Sequence, residues 1–230
     1  MTASLIGLVG CVPTAVTPCP TTSDTARPAI RIMPLGDSIT QGVGSTTGGG
    51  YRLPLEESLR RVGVNVDFVG SQKDGPLVDP DHEGHSGYLI DQIADSVEVW
   101  LAHARPDVIL LHAGINDLAR GPMPAQAADR MLALIHRIHD DAPRTVILVQ
   151  GLIPTTAGLQ ARVRAFNDRI GGYGRDYVYV EPPALNGEQM TDQLHPNDGG
   201  YQRLAAVFST PLAQAMRQTP PGCEDPPPLR

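Results

Sequence analysis

The chain has 230 residues, 41% of them hydrophobic and 19% charged, which suits one globular domain with a substantial core and argues against a second catalytic domain. Its formal net charge is −7, and no Lys/Arg cluster or basic-aromatic interleaving occurs, so the composition argues against a nucleic-acid partner and favours a small or neutral substrate. No run approaches the roughly 18 apolar residues that a membrane-spanning helix needs.

Residues 1–27, rich in Thr, Pro and Ala, are expected to form an N-terminal leader, and residues 219–230 a Pro-rich tail, leaving 28–218 as the folded domain. Within the leader, Leu5-Ile6-Gly7-Leu8-Val9-Gly10-Cys11 is a short apolar segment ending in a small residue and a cysteine, similar to a bacterial lipoprotein cleavage box, although no Lys or Arg precedes it. The expectation is an exported protein, secreted or lipid-anchored through Cys11, whose true start lies slightly upstream; the alternative is a leader on a cytoplasmic protein. With Cys11 lipidated, Cys19 and Cys223 remain as a pair able to staple the termini, against the alternative of free thiols.

Between the tails, short aliphatic or β-branched runs alternate with segments of helical period. The runs Ile30–Leu35, Asn65–Val69, Val108–His112, Val146–Val149 and Tyr177–Val180 are predicted strands. A first helix begins near Pro54 and stops at Gly63, where the missing N–H and the glycine suit the two ends. A second buries Ile90, Ile93, Val97 and Leu101, with Trp100 expected in the core. A third carries Met131, Leu134, Ile135 and Ile138 after Pro124, and a fourth Leu159, Val163, Phe166 and Ile170. The last, near Gln202–Met216, carries Leu204, Val207, Phe208 and Leu212 and is expected to bend or break at Pro211. The order predicts a three-layer α/β/α sandwich, flavodoxin-like, around a central five-stranded parallel sheet, with reactive groups at the carboxyl ends of the strands.

At that edge, Gly36-Asp37-Ser38-Ile39-Thr40 follows the first strand, and far downstream Asp192-Gln193-Leu194-His195-Pro196 supplies a carboxylate and an imidazole three residues apart. A serine hydroxyl is a poor nucleophile at neutral pH, so an imidazole must accept its proton and a carboxylate must orient that imidazole; Ser38, His195 and Asp192 are the candidate catalytic residues. Two further blocks accompany them, His82-Glu83-Gly84-His85-Ser86-Gly87-Tyr88 and His112-Ala113-Gly114-Ile115-Asn116-Asp117.

With Ser38 and His195 these complete four blocks that resemble the SGNH, or GDSL-type, hydrolases. The resemblance implies Ser38 as nucleophile, Gly87 and Asn116 as oxyanion donors together with the Ser38 N–H, and Asp192 with His195 completing the triad. Gly84 shares the loop with Gly87, and sequence alone leaves both available for the backbone donor. The stretches Ile32 to Thr40, Gly48-Gly49-Gly50-Tyr51-Arg52, Val66 to Ser71, Asp81 to Gly87 and Leu194-His195-Pro196-Asn197 narrow the similarity to the acetylxylan esterases of carbohydrate esterase family three, over about Ile30 to Ala205. Departures are Tyr88 where tryptophan is usual, and Ala113 with Ile115 where isoleucine and threonine are usual; they are expected on the pocket wall.

The implied protein is a serine esterase that deacetylates carbohydrate esters through an acyl-enzyme on Ser38, with no metal and no cofactor. Alternatives are a short-chain lipid esterase or thioesterase, and a non-catalytic carbohydrate-binding lipoprotein. Tyr51, His85 and Tyr88 are candidate substrate contacts, with Tyr201 a further aromatic; His85 otherwise fixes its loop. His136 and His139 lie three apart on one helix but lack a third ligand. The acidic stretch Asp79, Asp81, Glu83 lacks the glycine and distal glutamate of a calcium loop and is expected to be a solvated loop. His112 is either a core histidine or a support of the asparagine block. Gly42-Val43-Gly44 and Gly48-Gly49-Gly50 are expected to form a flexible wall beside Ser38, with Asp37 and Arg52 bracing the turn.

Overall fold

A computed structural model of the chain describes residues 28–155, 157–172, 174 and 176–218. Cys11, Cys19 and Cys223, and with them the expected lipid anchor and disulfide, lie outside the described residues. The sheet is built on β1 (Ile30–Gly36), whose last five residues are all buried. One edge of β1 pairs in parallel with β5 (Val108–His112), from Ile32↔Val108 to Gly36↔His112. The other edge is shared: β2 (Val66–Phe68) pairs with Ile30–Ile32, and β4 (Asp81–Gly84) takes over at Leu35 and Gly36. Beyond β5, the chain adds β6 (Val146–Gln150) and then β7 (Val178–Val180), both parallel.

The sheet has seven strands among the described residues rather than the five expected. The additions are β4 and the two-residue β3 (Gln72–Lys73), which pairs antiparallel with β4 at the edge. Neither shows an apolar run or an apolar alternation, because these strands carry polar residues satisfied by hydrogen bonds. The stretch containing Asp81 and Glu83 is therefore an ordered strand rather than a solvated loop.

Alternation along the strands divides the core into two layers. Met33, Leu35, Ile109, Leu111, Ile147 and Val149 face α3 (Ile90–Ala104), α5 (Ala127–Asp141) and α6 (Gln160–Gly171). Ile32, Val108, Leu110 and Leu148 face α2 (Arg52–Arg61) and α7 (Asp198–Gln218). Two short helices at the carboxyl edge were not evident from periodicity: α1 (Ser38–Gln41) and α4 (Ile115–Arg120). A four-residue helix is barely one turn and can bury no periodic stripe. Helix α7 continues through Pro211 without interruption, contrary to the expected break.

Candidate active site

The turn from β1 into α1 places Ser38 at the first helical position, with Asp37 as N-cap; Asp37 Oδ1 accepts the Ile39 N–H at 3.0 Å. Ser38 Oγ lies 2.9 Å from His195 Nε2, and His195 Nδ1 lies 2.8 Å from Asp192 Oδ2. The three side chains meet in series across 157 residues of chain. Asp192 Oδ1 also accepts the N–H groups of Leu194 (2.7 Å) and His195 (2.8 Å), so one carboxylate shapes the turn and orients the ring it carries. Partial burial acts to raise the Asp192 carboxyl, but the His195 hydrogen bond and these two N–H groups together hold it below its ordinary value.

The segment bearing His195 is docked against the glycine-rich loop that follows α1. Thr191 Oγ1 donates to the Gly44 carbonyl at 2.7 Å, Thr46 N and Oγ1 both bond Asp198, and Thr155 Oγ1 donates to Gln193 O. Gly44 sits at φ 94°, and a Cβ there would fall 2.6 Å from Pro196 O and 3.0 Å from His195 Cβ. Only glycine permits that approach. Arg52, fully buried, donates all five of its N–H groups to backbone carbonyls, of Thr40, Asp74, Pro80, Gln41 and Gly48, at 2.8–3.1 Å. The glycine-rich wall is thus pinned rather than loose, and Arg52 is a brace.

The turn His85–Tyr88 closes with the Tyr88 N–H on His85 O at 3.1 Å, and Gly87 within it adopts φ 82°. No hydrogen bond among the described residues uses the Gly87 N–H, whereas the Gly84 N–H is committed to His82 Nδ1 at 3.0 Å. Asn116, 8% exposed, donates one amide N–H to Tyr88 O at 3.0 Å, leaving the other for a ligand. Its neighbour Asp117 accepts the Ile90 N–H at 3.0 Å and Arg130 Nη2 at 3.0 Å, tying α4 to the start of α3.

Several expectations are corrected. Tyr51 is 0% exposed and packs on Phe208 at 5.5 Å between ring centroids, so it cannot meet a substrate at the surface. Tyr201 is also buried, its hydroxyl donating to Val43 O. Ala113 and Ile115 lie in the core rather than on a pocket wall. Trp100 is half-buried, stacked on His85 at 4.7 Å and 10°. His85 has its other face on Tyr88 at 4.7 Å and 20°, and its Nε2 2.6 Å from Glu83 Oε1. Of the three candidate contacts, Tyr88 keeps a partly exposed ring, packed on His85 and on the edge of the core. His136 is exposed beside Asp176 at 3.4 Å.

Some buried groups had no signal in the sequence. Among the described residues, Asp37 Oδ2, Thr40 Oγ1, Tyr51 Oη and both ring nitrogens of His112 have no hydrogen-bond partner at normal geometry. Burial pushes the Asp37 carboxyl up to about 7, against the opposing effects of the Ile39 N–H and His195. Burial brings His112 down to about 4. Glu83 and His85 did carry a usable signal, because residues two apart on an extended segment share a face.

Comparison with known proteins accords with this geometry. Residues 35–203 match the GDSL-like lipase/acylhydrolase family. The structure of the family 3 carbohydrate esterase of Clostridium thermocellum superimposes with a TM-score of 0.75 at 30% identity, covering 84% of this chain and 100% of that one. An acetyl esterase in which a serine is mutated to alanine, solved with an acetate ion, gives 0.73 at 27% identity, covering 83% and 100%. A carbohydrate esterase family 3 protein from Talaromyces cellulolyticus gives 0.70 at 26%, with the same coverage. A multidomain esterase of Ruminococcus flavefaciens is 29% identical over 220 residues, and the chain spans 28% of its length. This chain belongs to the GDSL-like lipase/acylhydrolase family and is a carboxylic ester hydrolase.

Proposed function

We propose that the enzyme removes acetyl groups from carbohydrate esters through an acyl-enzyme on Ser38. The observation that carries this reading is the unbroken series Ser38 Oγ, His195 Nε2, His195 Nδ1, Asp192 Oδ2 at 2.9 and 2.8 Å. His195 Nε2 takes the hydroxyl proton as Oγ bonds to the ester carbonyl carbon, and Asp192 holds the ring's tautomer and stabilises the imidazolium. The negative charge on the carbonyl oxygen is met by the N–H groups of Gly87 and Ser38 and the free amide hydrogen of Asn116. Collapse breaks the ester bond, and His195 returns the proton to the departing sugar hydroxyl. Water then repeats the sequence on the acyl-serine, releasing acetate and restoring Ser38.

The likeness to family 3 carbohydrate esterases and to an acetyl esterase supports a small acyl group on a sugar, and Tyr88 is the surface aromatic that a sugar ring would meet beside Asn116. Ser38→Ala and His195→Ala are each expected to lower turnover of p-nitrophenyl acetate by more than ~10³, with the double variant scarcely worse, because the groups act as a unit. A Ser38→Ala protein retaining a tenth of the activity excludes the mechanism. Acetate release from acetylated polysaccharides tests the substrate, and a preference for octanoyl over acetyl esters would instead favour a lipid esterase. Failure of a fluorophosphonate to label Ser38 would point to a binding protein.

A further inference from the structure

Resting on the oxyanion assignment above, we infer that Glu83 and His85 form a positioning clamp that holds the Gly87 turn against Asn116, so that they act in the reaction without touching substrate. Glu83 is 1% exposed, and a carboxylate at that depth requires partners for its oxygens. Ser71 supplies two, its N–H at 2.8 Å and its hydroxyl at 2.7 Å, and His85 Nε2 is the third at 2.6 Å. The imidazole is therefore held at its edge by a carboxylate that is itself held by a neighbouring segment.

Its two faces are held as well. Tyr88 and Trp100 flank the ring, each 4.7 Å away between centroids and within 20° of parallel. Trp100 belongs to α3, whose inner face is core, so the outer plate of the sandwich is fixed to a rigid helix. The inner plate is Tyr88, the residue after Gly87. His85 also spans the turn through its backbone: its N–H donates to Gly36 O at 2.9 Å, two residues before the nucleophile, and its carbonyl accepts the Tyr88 N–H. The Tyr88 carbonyl in turn accepts from Asn116 Nδ2. A closed circuit thus runs from the end of β1 through His85 and Tyr88 to Asn116, with Gly87 inside it.

The circuit matters because oxyanion donors act only when aimed within about 2.7–3.1 Å of the developing charge, and a misplacement near 1 Å costs on the order of 10². Gly87, at φ 82° in a four-residue turn, has no side chain of its own to fix it. The stacked and tethered imidazole does that from two residues away, and Arg120, donating to Gly87 O from the surface, is a lesser support.

The test is the steady-state kinetics of His85→Ala on a soluble sugar acetate, with active sites counted by fluorophosphonate labelling and fold monitored by thermal unfolding. The clamp predicts a fall in kcat of roughly tenfold to a hundredfold with KM within about twofold, and a parallel loss of affinity for a boronic-acid analogue of the tetrahedral intermediate, since only a transition-state contact is displaced. Trp100→Phe, which keeps an aromatic plate, is expected to stay within about threefold of the parent, and Trp100→Leu to show a weaker version of the His85→Ala pattern. If His85→Ala does not fold, the half-exposed Trp100→Leu carries the same comparison. A rise in KM at unchanged kcat would make His85 a substrate contact and overturn the clamp, as would unchanged kcat and KM in a well-folded variant. Should Ser38→Ala itself remain active, the acyl-enzyme reading on which the oxyanion assignment rests fails first and independently of these variants.

Discussion

Arg52 decides more of the local architecture than its position in a glycine-rich, outwardly polar stretch suggests. Each of its five N–H groups ends on a different backbone carbonyl, so one side chain joins α1, the loop at Gly48 and the segment from Asp74 to Pro80. A lysine offers three donors without the planar fork, and would leave at least two of these carbonyls, most of them only partly buried, without their present donor. Arg52→Lys is expected to lower stability by about 1–3 kcal/mol, the lower end of the penalty for unsatisfied groups applying because most of the acceptors are only partly buried, measurable by urea unfolding; a loss below ~0.5 kcal/mol would contradict this role. The sequence shows an arginine at position 52 but not its destination, because the acceptors are main-chain oxygens and carry no side-chain signature.

At the scale of elements, activity depends on how the loop after α1 meets the loop that carries His195. Their contact is closest at Gly44, where a methyl group would press on Pro196 O and His195 Cβ and where φ 94° disfavours any side chain. Gly44→Ala is expected to move the imidazole relative to Ser38, lowering kcat by roughly tenfold or more and slowing fluorophosphonate labelling, with a stability loss of about 1–3 kcal/mol. Labelling at the parent's rate would show that the two loops do not set the Ser38–His195 distance. The long elements were legible: five strands and the helices bearing Ile90 to Leu101 and Met131 to Ile138 announce themselves by period. The short ones were not, because α1 is anchored by Asp37 and Gly42, and β4 by hydrogen bonds of Glu83 and His82, rather than by apolar spacing.

For the whole molecule, the polar groups locked inside the two core layers set the response to acid. His112 and His82 are both brought down to about 4, His112 by burial and His82 by burial followed by the charge of Arg52; unfolded, each returns to about 6.5. Between those values the unfolded chain binds two protons that the native protein does not. Asp37 acts oppositely: its folded value near 7 lies above its unfolded value of 3.8, so the native state holds one proton that the unfolded chain has released, a contribution lost as pH rises toward 7. From these three groups the unfolded state therefore gains a net one proton between about pH 4 and 6.5, and stability should fall on acidification by on the order of 1 kcal/mol per pH unit. His112→Leu, at a position where neither ring nitrogen has a hydrogen-bond partner among the described residues, should nearly flatten that slope. Urea unfolding at pH 5, 6 and 7 tests it, and an undiminished slope would remove His112 from the account.

By itself the sequence determined the layered α/β architecture, the carboxyl edge as the reactive side and the residue types needed for acyl transfer, because period, strand-to-loop position and the chemistry of Ser38, Asp192 and His195 are local properties. Only the tertiary structure decided which groups touch. Tyr51 went into the core, His85 became a tethered plate and the Gly84 N–H was spent on His82, since contacts between segments tens of residues apart depend on how β1, β4 and β5 register and on which polar atoms burial leaves in need of a partner.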